Sequence, residues 1–297
     1  MIARYSLMIW NLTTMEMKKS FIQYKLLILL TAAIIVIFLT QTLLAARFNT
    51  PRLFDLFSIL TIAGSLVVCL KGFRHLRRGD WVCAILLGAV VGAGMCFATL
   101  FTPFPFLGIA HSNQEQALVR GLFTALATLG GLVIMRQGGP VPFHAANRSW
   151  QKMLRGVWIG LAVGLPLAVV NVFALQFTQG HPITWQNSLS AVLDALQPGI
   201  VEEVIYRFAL WGLLWILLQK AFPEKSVWLA GLLSMLVHNY AHFDDLFLQS
   251  PLTALGMGAV LALFWGVPPL ILARRRGLES AIAFHWIQDA ARFVAGF

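Results

Sequence analysis

Residues 26–46 read LLILLTAAIIVIFLTQTLLAA, a run without a charged side chain that decides the class of fold. About 20 apolar residues are enough to cross the hydrocarbon core of a bilayer as an α-helix. A cleaved secretory signal has a shorter apolar region and a small-residue cleavage site, so we expect this run to be a retained first span. Comparable runs follow along the chain, at residues 53–70, 81–101, 117–135, 157–177, 199–218, 227–243, 252–273 and 279–297. The sequence therefore predicts an all-α, polytopic transmembrane helical bundle of about 8–9 spans.

The composition agrees with a membrane protein and argues against a soluble one. Of the 297 residues, 59% are hydrophobic and only 11% are charged, and the mean hydropathy is +0.77, well beyond the range of soluble domains. The formal net charge of +10 could indicate nucleic-acid binding. The Lys and Arg residues, however, lie in short loops between apolar runs, where they set membrane topology and attract anionic lipid. We therefore expect the lipid bilayer, and not nucleic acid, as the partner.

The basic loops alternate with loops that lack Lys and Arg. The second, fourth, sixth and eighth loops are basic, whereas the third loop at residues 102–116 and the fifth and seventh loops contain neither residue; the first loop, with Arg47 and Arg52, is the exception. Because Lys and Arg are retained on the cytoplasmic side, this alternation predicts a cytoplasmic N-terminus and an external C-terminus.

Ionisable residues inside the predicted spans are concentrated in three of them. Such side chains are costly at membrane depth and normally face the interior of a bundle or a wet cavity. Spans two and four have only Asp55 and Arg120, near their ends. Most of the others lie in the sixth, seventh and ninth spans, and they are Glu202, Glu203, Arg207, His238, His242, His285, Asp289 and Arg292. Since residues three or four apart share a helix face, we expect three polar faces to meet in one pocket; ion pairs that only hold the helices together are the alternative.

Three motifs in these spans resemble the CPBP intramembrane proteases, a family that includes the CAAX prenyl endopeptidases and bacterial Abi-type proteins. The family pattern Glu-Glu-x-x-x-Arg is similar to Glu202-Glu203-Val-Ile-Tyr-Arg207, and Phe-x-x-x-His is similar to Ser234-Met-Leu-Val-His238. His-x-x-x-Asn or Asp is similar to His285-Trp-Ile-Gln-Asp289. Ser234 departs from the usual Phe, which affects packing around the histidine more than proton transfer. The resemblance covers about residues 198–292 and implies catalytic helices at 181–297, after N-terminal transmembrane helices at 1–180.

The resemblance implies an intramembrane endopeptidase in the plasma (inner) membrane of a prokaryote, acting on a membrane-associated or prenylated peptide or protein. It makes Glu202 the general base for a water that His238 also holds, with Glu203 and Arg207 as an orienting pair. It also implies that His285 and Asp289 complete the pocket and that one of them stabilises the oxyanion.

The catalytic type stays open at this level. A glutamate mechanism needs no cofactor, whereas Zn²⁺ or another divalent metal would be held by Glu202, His238 and His285. The segment His238-Asn-Tyr-Ala-His242 has the histidine spacing of HExxH zinc enzymes, but Asn239 stands where that motif has Glu.

Two other functions compete with proteolysis: a non-proteolytic binding or scaffold protein of the immunity type with the same fold, and a transporter with a charged site at the membrane midplane.

Overall fold

The computed structural model describes residues 2–46, 48, 52–97, 106 and 109–297, and within the first helix it describes side chains from Tyr24 onward. In this part of the chain the secondary structure is helical, and the only β pairing is an isolated bridge between Phe106 and Ala110. The predicted all-α fold is confirmed. Part of the predicted third loop, residues 102–105, 107 and 108, and the end of the predicted third span, residues 98–101, lie outside the described residues.

The helices follow the predicted runs closely. In chain order they are α1 (Ile2–Ala45), α2 (Leu53–Gly72), α3 (Arg78–Phe97), α4 (Asn113–Arg136), α5 (Trp150–Gln179), α6 (Ser188–Asp194), a π-helix (Gln197–Leu210), α7 (Trp211–Leu218), α8 (Ser226–Tyr240), α9 (Asp244–Gln249), α10 (Pro251–Leu261), α11 (Val267–Arg276) and α12 (Leu278–Val294). A π turn, Ala262–Gly266, joins α10 to α11, and short 3₁₀ segments follow α2 and α8.

Six helical stretches within the described residues are long and apolar enough to cross a membrane, fewer than the 8–9 spans predicted. They are Tyr24–Ala45, Leu53–His75, Arg78–Phe97, Asn113–Arg136, Trp150–Gln179 and Pro251–Arg276. The predicted spans 199–218, 227–243 and 279–297 do form helices, but these are shorter or interrupted and carry the charged residues. Because these helices pack inside the bundle, other helices surround them as well as lipid. Their side chains therefore need not be as apolar as those of a helix surrounded by lipid alone.

Polar groups lie inside this bundle and large apolar groups lie outside it. Ser58, Thr124 and Thr128 are fully buried, whereas Phe177 is 89% exposed and Trp158 is 68% exposed. A water-soluble protein shows the opposite arrangement, since it must keep large apolar patches off its surface. The protein is therefore an integral, multi-pass membrane protein.

Small residues bring α5 close to α12, the helix that carries His285 and Asp289. A Cβ on Gly156 would lie 2.9 Å from the Arg276 carbonyl oxygen, and one on Gly164 would lie 3.0 Å from that of Phe284. Gly160, between them, also faces the α12 backbone. This glycine face of α5 packs along α12, because small residues one turn apart let two helix backbones approach closely.

A salt bridge and a hydrogen bond hold the loop between α4 and α5 against the ends of α3 and α12. Arg136, at the end of α4, donates to both carboxylate oxygens of Asp80 on α3, at 2.5 and 3.1 Å, and also to Asn147 in the following loop. Glu279, at the start of α12, accepts from the backbone N–H of Ala145 in that same loop at 2.7 Å. The contact of Glu279 attaches the first turn of α12 to this loop.

Candidate active site

The π-helix supplies the two adjacent glutamates and the arginine of the first motif. Its wider turn is rarely sustained over many residues and often marks a functional segment. Every residue from Gln197 to Ala209 is buried. Near its start, Gly199 lies so close to α12 that an added Cβ would be 2.9 Å from the Trp286 Cα. A glycine at this position therefore lets the π-helix and α12 meet beside the glutamates.

Glu202 and His238 form the closest pair in the site. The His238 Nε2 and the Glu202 Oε2 are 2.7 Å apart, and both residues are buried. The other ring nitrogen of His238, Nδ1, contacts a terminal nitrogen of Arg207. Because a guanidinium only donates, Nδ1 must accept, and the ring proton lies on Nε2. His238 thus donates to Glu202, which fixes the carboxylate as an acceptor.

His285 lies between carboxylates. Its Nδ1 is 2.9 Å from the Glu203 Oε1, and its Nε2 is 3.3 Å from the Asp289 Oδ2 and 3.7 Å from the Glu202 Oε2. A ring with protons on both nitrogens satisfies these acceptors on both sides. Asp289 also pairs with Arg292, at 2.9 Å, so its negative charge is shared between two donors.

An open cavity of about 610 Å³ reaches this cluster. Glu202, His238, His285 and Asp289 line it, whereas Glu203 is fully buried behind them and pairs with Arg207, whose Nε is 3.8 Å from its Oε2. The cavity is large enough for several residues of a peptide, and its polar side chains converge at one point, as in most binding sites.

All six residues predicted for the site come together in this cluster, in two layers. Four of them face the cavity, and Glu203 and Arg207 hold His285 and His238 from behind. Ser234, which replaces the usual Phe, donates from its hydroxyl to the Tyr206 carbonyl. The Tyr206 ring stacks on His238, with centroids 4.5 Å apart, so the histidine has an aromatic neighbour despite the Ser.

The structure adds residues for which the sequence predicts little or no role. His242 Nε2 lies 3.7 Å from the Glu202 Oε2 and 3.4 Å from the His238 Nε2, although its side chain is 44% exposed. Phe54 on α2 packs against both histidines, with centroids 5.5 Å from His242 and 6.3 Å from His238. Asp55 and Arg120, on α2 and α4, line the same cavity. The signal for this pair was its position, since these were the only ionisable residues in the second and fourth predicted spans.

The residues that could hold a metal differ from the predicted set. Glu202, His238 and His242 bring ligand atoms within 4.8 Å of one another, so His242 takes the place predicted for His285. A metal-bound histidine offers a bare nitrogen to the ion and normally donates from its other nitrogen to an acceptor. His238 has the reverse arrangement, because the Arg207 donor occupies Nδ1 and leaves the proton on Nε2. The hydrogen bonds of His238 therefore do not fit metal ligation.

Comparisons with known proteins bear on this cluster directly. Residues 184–291 match the family described as type II CAAX prenyl endopeptidase Rce1-like, and this range contains all six predicted site residues. The predicted resemblance is thus confirmed for that segment. The chain is also 26% identical over 239 residues to a probable multidrug resistance protein NorM of Pseudomonas aeruginosa. That alignment covers 79% of the chain, which spans about half the length of this relative (45%). No solved structure matches the chain.

Proposed function

We propose, with the family likeness of residues 184–291 as the premise, that the protein hydrolyses a peptide bond of a membrane-associated or prenylated peptide with a water activated by Glu202. The observation that carries this proposal is the contact of 2.7 Å between the Glu202 carboxylate and the His238 Nε2 at the wall of the cavity. A carboxylate held as an acceptor beside open space has the position that a general base requires.

The reaction follows from the hydrogen bonds of the cluster. A water beside Glu202 gives a proton to the carboxylate while its oxygen adds to the peptide carbonyl carbon, which forms a tetrahedral oxyanion. Glu202 then passes the proton to the amide nitrogen, the C–N bond breaks, and a carboxylic acid and an amine leave. His238 keeps the base oriented by donating to it throughout.

Stabilisation of the oxyanion is assigned to His285. Its Nε2–H makes only long contacts, 3.3 Å to the Asp289 Oδ2 and 3.7 Å to the Glu202 Oε2, which an oxyanion in the cavity replaces, and Glu203 holds the ring through Nδ1 at 2.9 Å. Asp289 as a carboxylate accepts hydrogen bonds and has none to donate, so it acts by fixing His285. A donor placed where negative charge develops is typically the largest single contribution to such catalysis.

We propose that the reaction needs no metal. The support is the contact of Arg207 with His238 Nδ1, which leaves no bare nitrogen for an ion. Arg207 and Glu203 are positioning residues in this account: one fixes the ring proton of His238, and the other orients His285.

The two parts of the chain have different roles in this proposal. We assign the chemistry to the helices of residues 181–297, and the opposite wall of the cavity to helices within residues 1–180, through Phe54 and Arg120. The bilayer is then both solvent and source of substrate. The resemblance to bacterial proteins favours the plasma (inner) membrane of a prokaryote as the location.

The test is a comparison of cells that produce the intact protein with cells that produce Glu202→Gln. Glutamine has nearly the same shape but cannot take up the proton, so the variant should accumulate in the membrane without activity. Mass spectrometry of membrane-associated peptides should then find cleaved fragments with the intact protein only. Identical peptide profiles from both cell lines, with both proteins present at equal levels, would reject the proposal.

A second candidate rests on the alignment with the probable multidrug resistance protein. It supports the transporter alternative, in which the cavity passes a small molecule and the ion pairs change partners during transport. Two results together would favour it. Vesicles that hold the purified protein would take up or export a small molecule, and Glu202→Gln would cleave no less peptide than the intact protein. A scaffold of the same fold would bind peptide equally well with either residue at position 202 and would cleave none.

A further inference from the structure

Two buried carboxamides line the catalytic cavity, and the proposed reaction uses neither of them. Gln197 on the π-helix is 3% exposed, and Asn239 on α8 is 7% exposed. Because a π-helix is hydrogen-bonded between residues five apart, Gln197 lies one turn before Glu202. Asn239 directly follows His238 and stands where the HExxH motif has its glutamate. One amide is therefore attached beside each member of the Glu202–His238 pair.

Each of these two side chains has a buried polar atom without a hydrogen-bond partner among the described residues. In Gln197 it is Oε1, an acceptor, and in Asn239 it is Nδ2, a donor. Gly266 in the π turn leaves space for the second amide, since an added Cβ would lie 2.6 Å from Nδ2. A buried polar group without a partner is costly. Rotation about the last bond of an amide side chain is soft, so both atoms can turn toward a ligand in the cavity.

Gln288 on α12 shows that an amide on the wall of this cavity can be satisfied by the protein alone. Its Oε1 accepts from the Trp265 indole N–H at 3.1 Å, and its Nε2 donates to the Gly164 carbonyl at 2.8 Å. The unpaired atoms of Gln197 and Asn239 are thus particular to these two positions, and they are available to a ligand.

A peptide in this cavity brings main-chain N–H and C=O groups that need hydrogen-bond partners. Proteins commonly bind an extended peptide along the edge of a sheet. The described part of the chain has no strand, only the isolated bridge between Phe106 and Ala110. Main-chain groups inside helices are already bonded to one another, so side chains must supply the partners. A carboxamide carries the same acceptor and donor as a peptide group.

We propose that Gln197 and Asn239 bind the main chain of the substrate beside the cleaved bond. Gln197 Oε1 accepts from a substrate N–H, and Asn239 Nδ2 donates to a substrate carbonyl. Both are positioning residues that hold the peptide carbonyl carbon next to the water at Glu202. Because every residue has the same main-chain groups, this contact binds a peptide without reading its side chains. The inference rests on the proposed function and adds to it the way in which the substrate is held.

The test for Gln197 uses the full-length protein in phosphatidylcholine vesicles and fluorogenic peptides with a farnesylated cysteine. One peptide has only amide bonds. In each of the others an ester replaces one of the two peptide bonds on either side of the cleaved one, which removes a single N–H donor. The intact protein should cleave one ester peptide with a kcat/KM about fivefold to a hundredfold lower, the range expected when a buried acceptor is left unpaired. Gln197→Met, which keeps the size of the side chain without its amide, should cleave the amide and ester peptides at the same rate.

Asn239 is tested in the same way with thioamides. A sulfur in place of one carbonyl oxygen accepts hydrogen bonds poorly, so the intact protein should cleave one such peptide more slowly by a similar factor. Asn239→Leu should abolish this difference and retain the effect of the ester, whereas Gln197→Met should retain the effect of the thioamide. A general disturbance of the site would change the rates for all peptides alike.

Gln288→Leu is the matched control. It removes a buried carboxamide from the wall of the same cavity, but one that is already paired within the protein. This variant should therefore keep both the ester effect and the thioamide effect.

Equal cleavage of the amide, ester and thioamide peptides by the intact protein would overturn the proposal. A Gln197→Met protein that still distinguishes the ester would also overturn it. Variants that slow the cleavage of every peptide by the same factor would assign the two amides to bound water or to packing of the wall, which overturns it as well. Cleavage of no peptide by the intact protein would instead overturn the proposed endopeptidase function, and the inference with it.

Discussion

Gly199→Ala probes the contact that brings the π-helix and α12 together. The added Cβ would lie 2.9 Å from both the Cα and the Cβ of Trp286, whereas ordinary contact begins at 3.4 Å. The two helices must then separate by at least about half an ångström, and backbone atoms cannot rotate out of the way as a flexible side chain can. Glu202 lies three residues after Gly199, and Trp286 directly follows His285. A separation of the two helices at this contact therefore moves the catalytic cluster itself.

The expected effect has two parts. Overpacking of this kind costs about 1–3 kcal/mol of stability, which should lower the midpoint of thermal unfolding in detergent. The hydrogen bond of 2.9 Å between Glu203 and His285 should lengthen. Misplacement of catalytic groups by about 1 Å can cost roughly a hundredfold in rate, so we expect kcat to fall by about tenfold to a hundredfold while KM changes little.

Peptide cleavage by the purified protein in vesicles measures kcat, and Gly256→Ala is the control. A Cβ on Gly256 of α10 would have no atom within 4 Å, so this variant should keep the rate and the unfolding midpoint of the intact protein. A Gly199→Ala variant with unchanged kcat would refute the account of how the two helices are positioned.

The other predictions concern the acid on α12, the metal and the bundle end. Asp289→Asn should retain most activity, because an amide oxygen can still accept from His285. Arg292→Gln alone should slow cleavage, because Asp289 loses its partner at 2.9 Å. In the double variant with Asp289→Asn, the substitution of Arg292 should have no further effect on the cleavage rate. A chelator should not reduce activity, and elemental analysis of the purified protein should find no stoichiometric metal; loss of activity that returns with Zn²⁺ would contradict the metal-free proposal. Arg136→Gln should destabilise the protein by about 3 kcal/mol or more, measured as a lower unfolding midpoint, because Asp80 is left fully buried without its partner; an unchanged midpoint would contradict this.

The membrane class and the position of the site could be predicted from the sequence because both depend on local patterns. An uncharged run such as residues 26–46 has only one stable environment, and charged residues within similar runs must face inward. Helical spacing alone places His285 and Asp289 on one face, and the structure has them 3.3 Å apart.

The span count could not be predicted in the same way. Hydropathy treats every apolar helix as lipid-exposed, but α8 and α12 pack within the bundle, and the π-helix is buried along most of its length. Nothing in a single sequence distinguishes a helix surrounded by other helices from one surrounded by lipid.

The hydrogen-bond partners of the histidines depend on tertiary contacts, which the sequence predicts only in part. The i,i+4 spacing correctly paired Glu203 with Arg207, yet it could not predict that Arg207 also contacts His238 or that Glu203 holds His285 on another helix. The predicted metal set contained His285, and the structure adds His242, whose Nε2 also lies 3.7 Å from the Glu202 Oε2. Such contacts depend on how three helices are rotated relative to one another, which helical spacing within one segment does not specify.

The most direct measurement of the central claim is the cleavage rate of purified Glu202→Gln in vesicles, next to that of the intact protein and of Glu224→Gln. Glu224 is exposed in the loop before α8, so its substitution makes the same chemical change away from the site. Loss of a general base typically costs about a hundredfold to ten-thousandfold; we expect a loss in that range for Glu202→Gln and an unchanged rate for Glu224→Gln. A folded Glu202→Gln protein that cleaves peptide as fast as the intact protein would contradict the assignment of Glu202 as the base.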